Sequence, residues 1–129
     1  MDTSVVLAEL LAENLRPPSQ FWERDDLVSS RLTEYESWVR VHAYGKGASH
    51  GATLALLLAR VTLVALDDAA CARCRAPFPT PVRALDALHL AAADFLRSRG
   101  LHVEMATYDA RMLQAASAVG FAASAALRS

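Results

Sequence analysis

Cysteine, glycine and proline are all scarce in this sequence. Its 129 residues include two cysteines, five glycines and five prolines, and neither a low-complexity linker nor an internal repeat interrupts the chain. Cys71 and Cys74 form a single Cys-x-x-Cys unit. A closed zinc site needs about four ligands, and no second cysteine pair follows. We therefore interpret both thiols as ordinary residues, with His42 and His50 the remaining candidates to complete a metal site.

Charge of one sign and long apolar runs are scarce as well. Thirteen basic and fourteen acidic residues give a net charge of -1, so a nucleic-acid enzyme of this composition would need a local basic patch. The longest apolar runs, residues 52–58 and 61–66, are far shorter than the roughly 20 residues that span a bilayer. The amino end has no positively charged, signal-like segment. We predict a cytoplasmic protein with no membrane partner.

The apolar content is high enough for one compact domain over residues 1–129, because 53% of the residues are hydrophobic. Helical and strand-like patterns alternate, which predicts an α/β fold with a mainly parallel sheet. The predicted helices cover residues 3–14, 19–24, 31–44, 52–60, a segment from Asp67, 82–99 and 109–119. The predicted strands cover residues 26–30, 62–66 and 102–107, with a weak strand from Phe121.

Four acidic residues occupy positions of special interest: Asp2, Glu36, Asp86 and Asp109. In a parallel sheet the strand exits and the following helix starts meet at one edge, so three of these four acids could share a cleft. Grouped carboxylates favour the hard cations Mg²⁺ and Mn²⁺. The sequence therefore predicts a carboxylate metal site.

Each acid also has a simpler interpretation. Asp109 is placed to cap a helix, and Asp86 is placed to complement a helix dipole. Glu36 could pair with Arg40 one turn later, and Asp2 could belong to a frayed end. The residues alone leave both interpretations open.

Four short sequence segments are similar to those of one known family. The segments MDTSVVLAELL, SSRLTEYESWVR, RALDALHLAAADFL and ATYDARMLQAASAVGF resemble the VapC toxin branch of the PIN-domain family, in the family's order and over nearly the whole chain. The resemblance implies a PIN-like three-layer α/β fold with a mainly parallel central sheet flanked by helices. Only Met1 precedes Asp2, whereas relatives carry several apolar residues there. We therefore expect a truncated first strand, either in the natural protein or because the recorded start codon lies too far downstream.

The resemblance also implies site residues. Asp2, Asp86 and Asp109 match metal-binding acids, and Glu36 matches a further catalytic acid in a Thr-x-x-Glu pattern. Glu34 is the runner-up, and the two glutamates lie about 200° apart around a helix, so both can hardly face one cleft.

Hydroxyl groups and one histidine stand beside these acids. Thr3, Ser4 and Thr107 are candidate site neighbours, although capping or solvent-facing roles are favoured slightly for each. His89 is interpreted as a packed residue, either beside the metal-binding acids or in the core, rather than as a metal ligand.

The implied activity is that of a metal-dependent endoribonuclease, with Mg²⁺ or Mn²⁺ as cofactor. Such a protein is the toxin of a toxin–antitoxin pair, hydrolyses RNA phosphodiester bonds, is often a homodimer and is silenced by a small antitoxin protein. Candidate phosphate contacts are Arg31, Arg40, Arg83, Arg97, Arg99 and Arg111. Candidate antitoxin contacts are Phe21, Trp22, Trp38 and Val39, although core packing is expected to explain some of them.

Two other function classes remain. A catalytically inactive PIN-like binding module would bind RNA or a partner without turnover. A dehalogenase-like phosphatase would need a second aspartate two residues after Asp2, and Ser4 stands there.

Overall fold

The computed structural model describes residues 1–128. Six α-helices and four short strands alternate as predicted. The helices are α1 (Thr3–Leu10), α2 (Arg31–Ala43), α3 (Gly47–Ala59), α4 (Asp68–Cys71), α5 (Ala84–Ser98) and α6 (Ala110–Ala118). The strands are β1 (Val28–Ser30), β2 (Thr62–Val64), β3 (Glu104–Met105) and β4 (Ala122–Ala123). Short 3₁₀ helices cover Ser19–Glu23, Ala72–Arg75 and Ala125–Leu127.

Two parallel strand pairs form the centre of the molecule. Strand β1 pairs with β2, with Val28 opposite Thr62, and β3 pairs with β4, with Met105 opposite Ala123. The prediction of parallel pairing is confirmed. The single sheet that we expected is instead two separate pairs.

Met1 and Asp2 lie between the two strand pairs. The Met1 amino group donates a 2.9 Å hydrogen bond to the Val28 carbonyl of β1, and the Asp2 N–H donates a 3.2 Å bond to the carbonyl of Ala106, directly after β3. The Met1–Asp2 dipeptide therefore contacts both strand pairs. At this end of the molecule β1 and β3 are separated by the width of one strand.

The gap between β1 and β3 continues as a cavity of about 380 Å³. Its walls include residues 27–30 of β1 and its approach, residues 103–106 around β3, and Ala92, Ala93 and Leu96 of α5. Backbone edges and apolar side chains thus enclose a slot beside Met1. The second pair would join the first if an extended segment filled this slot.

Two apolar clusters hold the helices against the strands. One contains Val5 and Val6 of α1 together with Val41 of α2 and Leu54 of α3. The other unites α5, β3 and α6 and includes Leu90 and Met112. Helices thus enclose the strands as in a PIN-like α/β fold, which confirms the predicted fold class.

Several predicted boundaries were wrong for local reasons. Helix α1 ends at Leu10 rather than at residue 14, because the chain turns at Ala12, which has a positive φ of 51°. Helix α2 ends close to the predicted boundary at residue 44, because Gly45 follows with a positive φ of 66°. Helix α3 begins at Gly47 rather than at residue 52. A Cβ atom at Gly47 would lie 2.7 Å from the His42 ring.

Candidate active site

A cleft of about 510 Å³ opens where α1, α2, α5 and the start of α6 meet. All four predicted site acids line it. The lining residues are Asp2, Thr3, Ser4, Leu7, Leu32, Tyr35, Glu36, Val39, Arg40, Arg83, Leu85, Asp86, His89 and Asp109. Residues that are distant in sequence therefore share one surface, as the topology predicted.

Asp2 is held at the inner end of the cleft and is only 5% exposed. Its two carboxylate oxygens accept hydrogen bonds from the Ser4 hydroxyl at 2.6 Å and the Thr107 hydroxyl at 2.8 Å. Burial raises the pKa of Asp2 above its ordinary value, although both hydrogen bonds act in the opposite direction. Asp2 is thus an ordered, costly carboxylate, not a frayed residue.

Glu36 lies on α2 and reaches across the cleft. Its Oε1 atom accepts hydrogen bonds from the Thr3 hydroxyl at 2.7 Å and from the His89 Nε2 atom at 2.8 Å. Burial raises the pKa of Glu36, but the hydrogen bonds from His89 and Thr3 and the nearby positive charge of Arg40 act against burial, and the net effect is a lowered pKa. The simpler interpretation, a direct pair between Glu36 and Arg40 on a solvated face, is wrong, because Glu36 instead contacts Thr3 and His89. Arg40 acts on Glu36 through its charge.

The other helix-two glutamate has a different position. Glu34 pairs with Arg31 at 3.3 Å and is absent from the cleft lining in the described part of the chain. Of the two candidates, Glu36 is the one that lines the same cleft as Asp2.

Asp86 and Asp109 occupy helix starts. Asp86 lies in the first turn of α5, and its Oδ2 atom is 3.4 Å from Nε of Arg83. Asp109 caps α6, because its Oδ1 atom accepts hydrogen bonds from the Arg111 and Met112 N–H groups. The capping interpretation of Asp109 is therefore confirmed, and its location on the cleft wall is compatible with a second role.

The chemistry of the donor set fits a hard divalent cation. Carboxylates and hydroxyl groups dominate the inner cleft, and Mg²⁺ and Mn²⁺ prefer oxygen ligands. Within residues 1–128, no three His, Cys, Asp or Glu side chains are close enough together to form a ready-made metal site. A cation would compete with Arg83 for Asp86 and with two backbone N–H groups for Asp109.

The hydroxyl residues belong to the site more fully than the sequence suggested. Thr3 bonds to Glu36, whereas Ser4 and Thr107 bond to Asp2. The Ser4 oxygen also accepts the Tyr108 N–H at 2.9 Å. These residues thus combine local turn formation with orientation of the carboxylates.

The structure separates the six candidate arginines. Arg40 and Arg83 line the cleft. Arg31 pairs with Glu34, Arg97 pairs with Asp94, and Arg99 lies over the Phe95 ring. Arg111 is exposed near the start of α6. Only a subset of the predicted phosphate contacts is therefore placed beside the acids.

The expected partner surface needs correction. Phe21 and Trp22 are buried in the core at 2% and 9% exposure, and Trp38 packs on His42 and Gly51. Val39 alone of the predicted set is strongly exposed, at 65%. The tryptophans were misleading because the fold uses both for packing.

The geometry agrees with a comparison of the sequence with protein families. The profile of the PIN domain family matches residues 1–118. The chain belongs to the PIN-domain family. PIN domains are generally nucleases, bind RNA and typically use a divalent metal ion. No curated protein and no solved structure matches the chain.

The PIN-domain assignment covers both the amino-terminal aspartate and the start of α6, so all four acids fall inside the matched region. No helix in residues 1–128 is both long and apolar enough to cross a membrane.

Proposed function

We propose that this PIN domain is a metal-dependent endoribonuclease, the toxin component of a toxin–antitoxin pair. The observation that carries the proposal is the convergence of Asp2, Glu36, Asp86 and Asp109 on one cleft. A solvated surface role would not require a carboxylate as buried as Asp2. Burial of this kind is costly and is typical of functional sites.

The four acids have different proposed tasks. Asp2, Asp86 and Asp109 would hold Mg²⁺ or Mn²⁺, and Glu36 would orient the attacking water. The metal ion supplies charge stabilisation and a lowered pKa of bound water when it is present. Arg40 and Arg83, at the rim, would attract the RNA phosphates.

An antitoxin helix is the proposed protein partner. The cleft rim carries exposed apolar side chains, with Tyr35 57%, Val39 65% and Leu85 49% exposed. Such side chains suit the apolar face of an amphipathic helix, which would cover the acids at the same time. The expected homodimer is tested by the mass of the purified protein in solution.

Cleavage of a mixed RNA pool in Mn²⁺ tests the nuclease proposal. Asp86→Asn should abolish cleavage, as should EDTA. Asp94→Asn is the matched control, because Asp94 lies on the same helix and pairs with Arg97 outside the cleft. Cleavage that survives in Asp86→Asn, or that does not need metal, would contradict the proposed site.

A catalytically inactive binding module is the second candidate. Asp86 contacts Arg83 and Asp109 caps α6, so both acids already have structural partners. RNA binding by folded protein without cleavage, in Mg²⁺ and in Mn²⁺, would favour this function over the nuclease.

A further inference from the structure

His89 forms hydrogen bonds that connect Glu36, in the candidate active site, with the buried residue Ser30. It lies on α5, one turn after Asp86, and is only 6% exposed. Its Nε2 atom is 2.8 Å from Oε1 of Glu36, and its Nδ1 atom is 3.0 Å from the Ser30 hydroxyl. Ser30 itself is 2% exposed and precedes α2. Both ring nitrogens are thus engaged inside the protein.

The direction of these hydrogen bonds follows from the chemistry of the partners. An ionised Glu36 carboxylate can only accept, so the hydrogen must be on Nε2 of His89. In the neutral imidazole, Nδ1 then accepts the proton of the Ser30 hydroxyl. The chain of donors therefore runs from Ser30 through His89 to Glu36. This arrangement leaves His89 without a lone pair for a metal ion.

The two oxygens of Glu36 are used differently. Thr3 and His89 both donate to Oε1, and Oε2 receives no hydrogen bond from residues 1–128. Two donors on one oxygen hold the carboxylate plane from two elements, α1 and α5. The other oxygen remains available to the cleft that Glu36 lines.

We propose that His89 is a positioning residue, which fixes the Glu36 carboxylate so that Oε2 is presented to water in the cleft. The proposal rests on the nuclease function proposed above, because it assigns Glu36 a task there. A mere packing residue would need no polar atoms at this depth, and buried polar groups are costly unless hydrogen bonds compensate them. Both nitrogens of His89 are compensated by residues that lead to the site.

Substitutions at His89 separate positioning from packing. His89→Leu fills the space but has no donor, and we expect kcat for RNA cleavage to fall about 10- to 100-fold, as for loss of a hydrogen bond to a charged group. KM for RNA should stay within about 2-fold, because His89 is only 6% exposed and both of its ring nitrogens are engaged by protein groups. His89→Gln offers an amide N–H near the position of Nε2, and it should recover most of the lost kcat.

Leu90→Ala is the matched control for destabilisation. Leu90 is 1% exposed on the same helix and belongs to the cluster with Met112, so its truncation should lower the melting temperature with little change in kcat. Wild-type kcat in His89→Leu would overturn the proposal. Equal losses in His89→Leu and His89→Gln, with Leu90→Ala equally inactive, would also overturn it, since packing alone would then explain the effect.

A spectroscopic measurement tests the positioning without any turnover. Nitrogen-15 NMR of the wild-type imidazole should show the hydrogen on Nε2, with shifts that change in Glu36→Gln and in Ser30→Ala. A hydrogen on Nδ1, or shifts insensitive to Glu36→Gln, would overturn the proposal. If the wild type cleaves no RNA while the NMR result holds, the nuclease function fails and the positioning of Glu36 stands. If His89→Leu does not fold, Ser30→Ala takes its place in the kinetic comparison, with a smaller expected loss.

Discussion

Thr107 donates a 2.8 Å hydrogen bond to Asp2 across 105 positions of sequence. With the bond from Ser4 to the other carboxylate oxygen, it fixes a charged group in a nearly dry position. Burial raises the pKa of Asp2 above its ordinary value of 3.8, so the fold penalises the ionised form. A residue retained at such a cost is expected to serve function at the expense of stability.

Asp2→Asn should therefore stabilise the metal-free protein and destroy its metal site. Because the folded pKa of Asp2 is raised, the wild type loses stability as pH rises from about 3.8 through the folded pKa, whereas the variant does not. The variant should melt at a higher temperature than the wild type at neutral pH. The difference should vanish below the ordinary pKa. Calorimetry in EDTA across this pH range measures both effects.

The same variant should no longer be stabilised by Mn²⁺, which raises the melting temperature only of a protein that binds it. Asp25→Asn is the control, because Asp25 is exposed and lies outside the cleft lining in the described residues. A metal-free Asp2→Asn protein that melts below the wild type at neutral pH would contradict the prediction.

The two glutamates of α2 should differ in their effect on catalysis. Glu36→Gln removes the charge that Thr3 and His89 orient, and we expect RNA cleavage to fall at least about 100-fold. Glu34→Gln loses only a partly exposed pair with Arg31, and such pairs contribute about 0 to 1 kcal/mol. The cleavage rate of Glu34→Gln should stay within about 2-fold of the wild type. Equal cleavage rates in Glu34→Gln and Glu36→Gln would show that Glu36 is not a site acid.

The positions of these glutamates illustrate what the sequence can predict. Helical periodicity separates Glu34 from Glu36 by about 200°, so the sequence alone implied that only one faces the cleft. The choice of Glu36 came from the resemblance. Its bond to His89 depends on how α5 packs against α2, and no local pattern encodes the approach of residues 53 positions apart.

Helix boundaries were predicted well where a capping residue or a glycine marks them. Asp67 caps α4 through the Ala70 N–H, and Gly45 ends α2, because both features act through neighbouring backbone groups. The end of α1 was missed, because a positive φ at Ala12 is unusual for a residue with a Cβ atom. The sequence left open which of the large apolar residues are buried, as Trp22 is, because apolar character does not distinguish core from partner surface.

An amino-terminal extension of four apolar residues should stabilise the protein. A strand rises about 3.3 Å per residue, so the extension could run beside Val28 and Met105 in the cavity that they line. It would also convert the Met1 amino group, whose pKa is lowered by burial, into an uncharged amide. The removal of a positive charge beside Asp2 should favour cation binding.

We expect the extension to raise the melting temperature by at least about 4 °C and to tighten Mn²⁺ binding. A Gly-Ser extension of equal length is the control, because it removes the same charge but offers no apolar side chains to the cavity. Calorimetry that shows no change in either stability or Mn²⁺ affinity would refute this prediction.

Arg40 and Arg83 should contribute to RNA affinity through their charge. Both line the cleft, and each phosphate contact to single-stranded nucleic acid adds about 0.7 to the slope of log affinity against log salt concentration. Each Arg→Ala variant should bind RNA more weakly at low salt, with a slope reduced by about this amount. Arg16→Ala removes the same charge from an exposed residue away from the described cleft lining, so its slope should match the wild type.

Arg83→Ala has a second consequence, because it frees Asp86 from its 3.4 Å contact and should tighten Mn²⁺ binding while RNA affinity falls. Opposite changes in the two affinities would show that Arg83 and the metal compete for Asp86, whereas parallel losses would mean that Arg83 maintains the site itself.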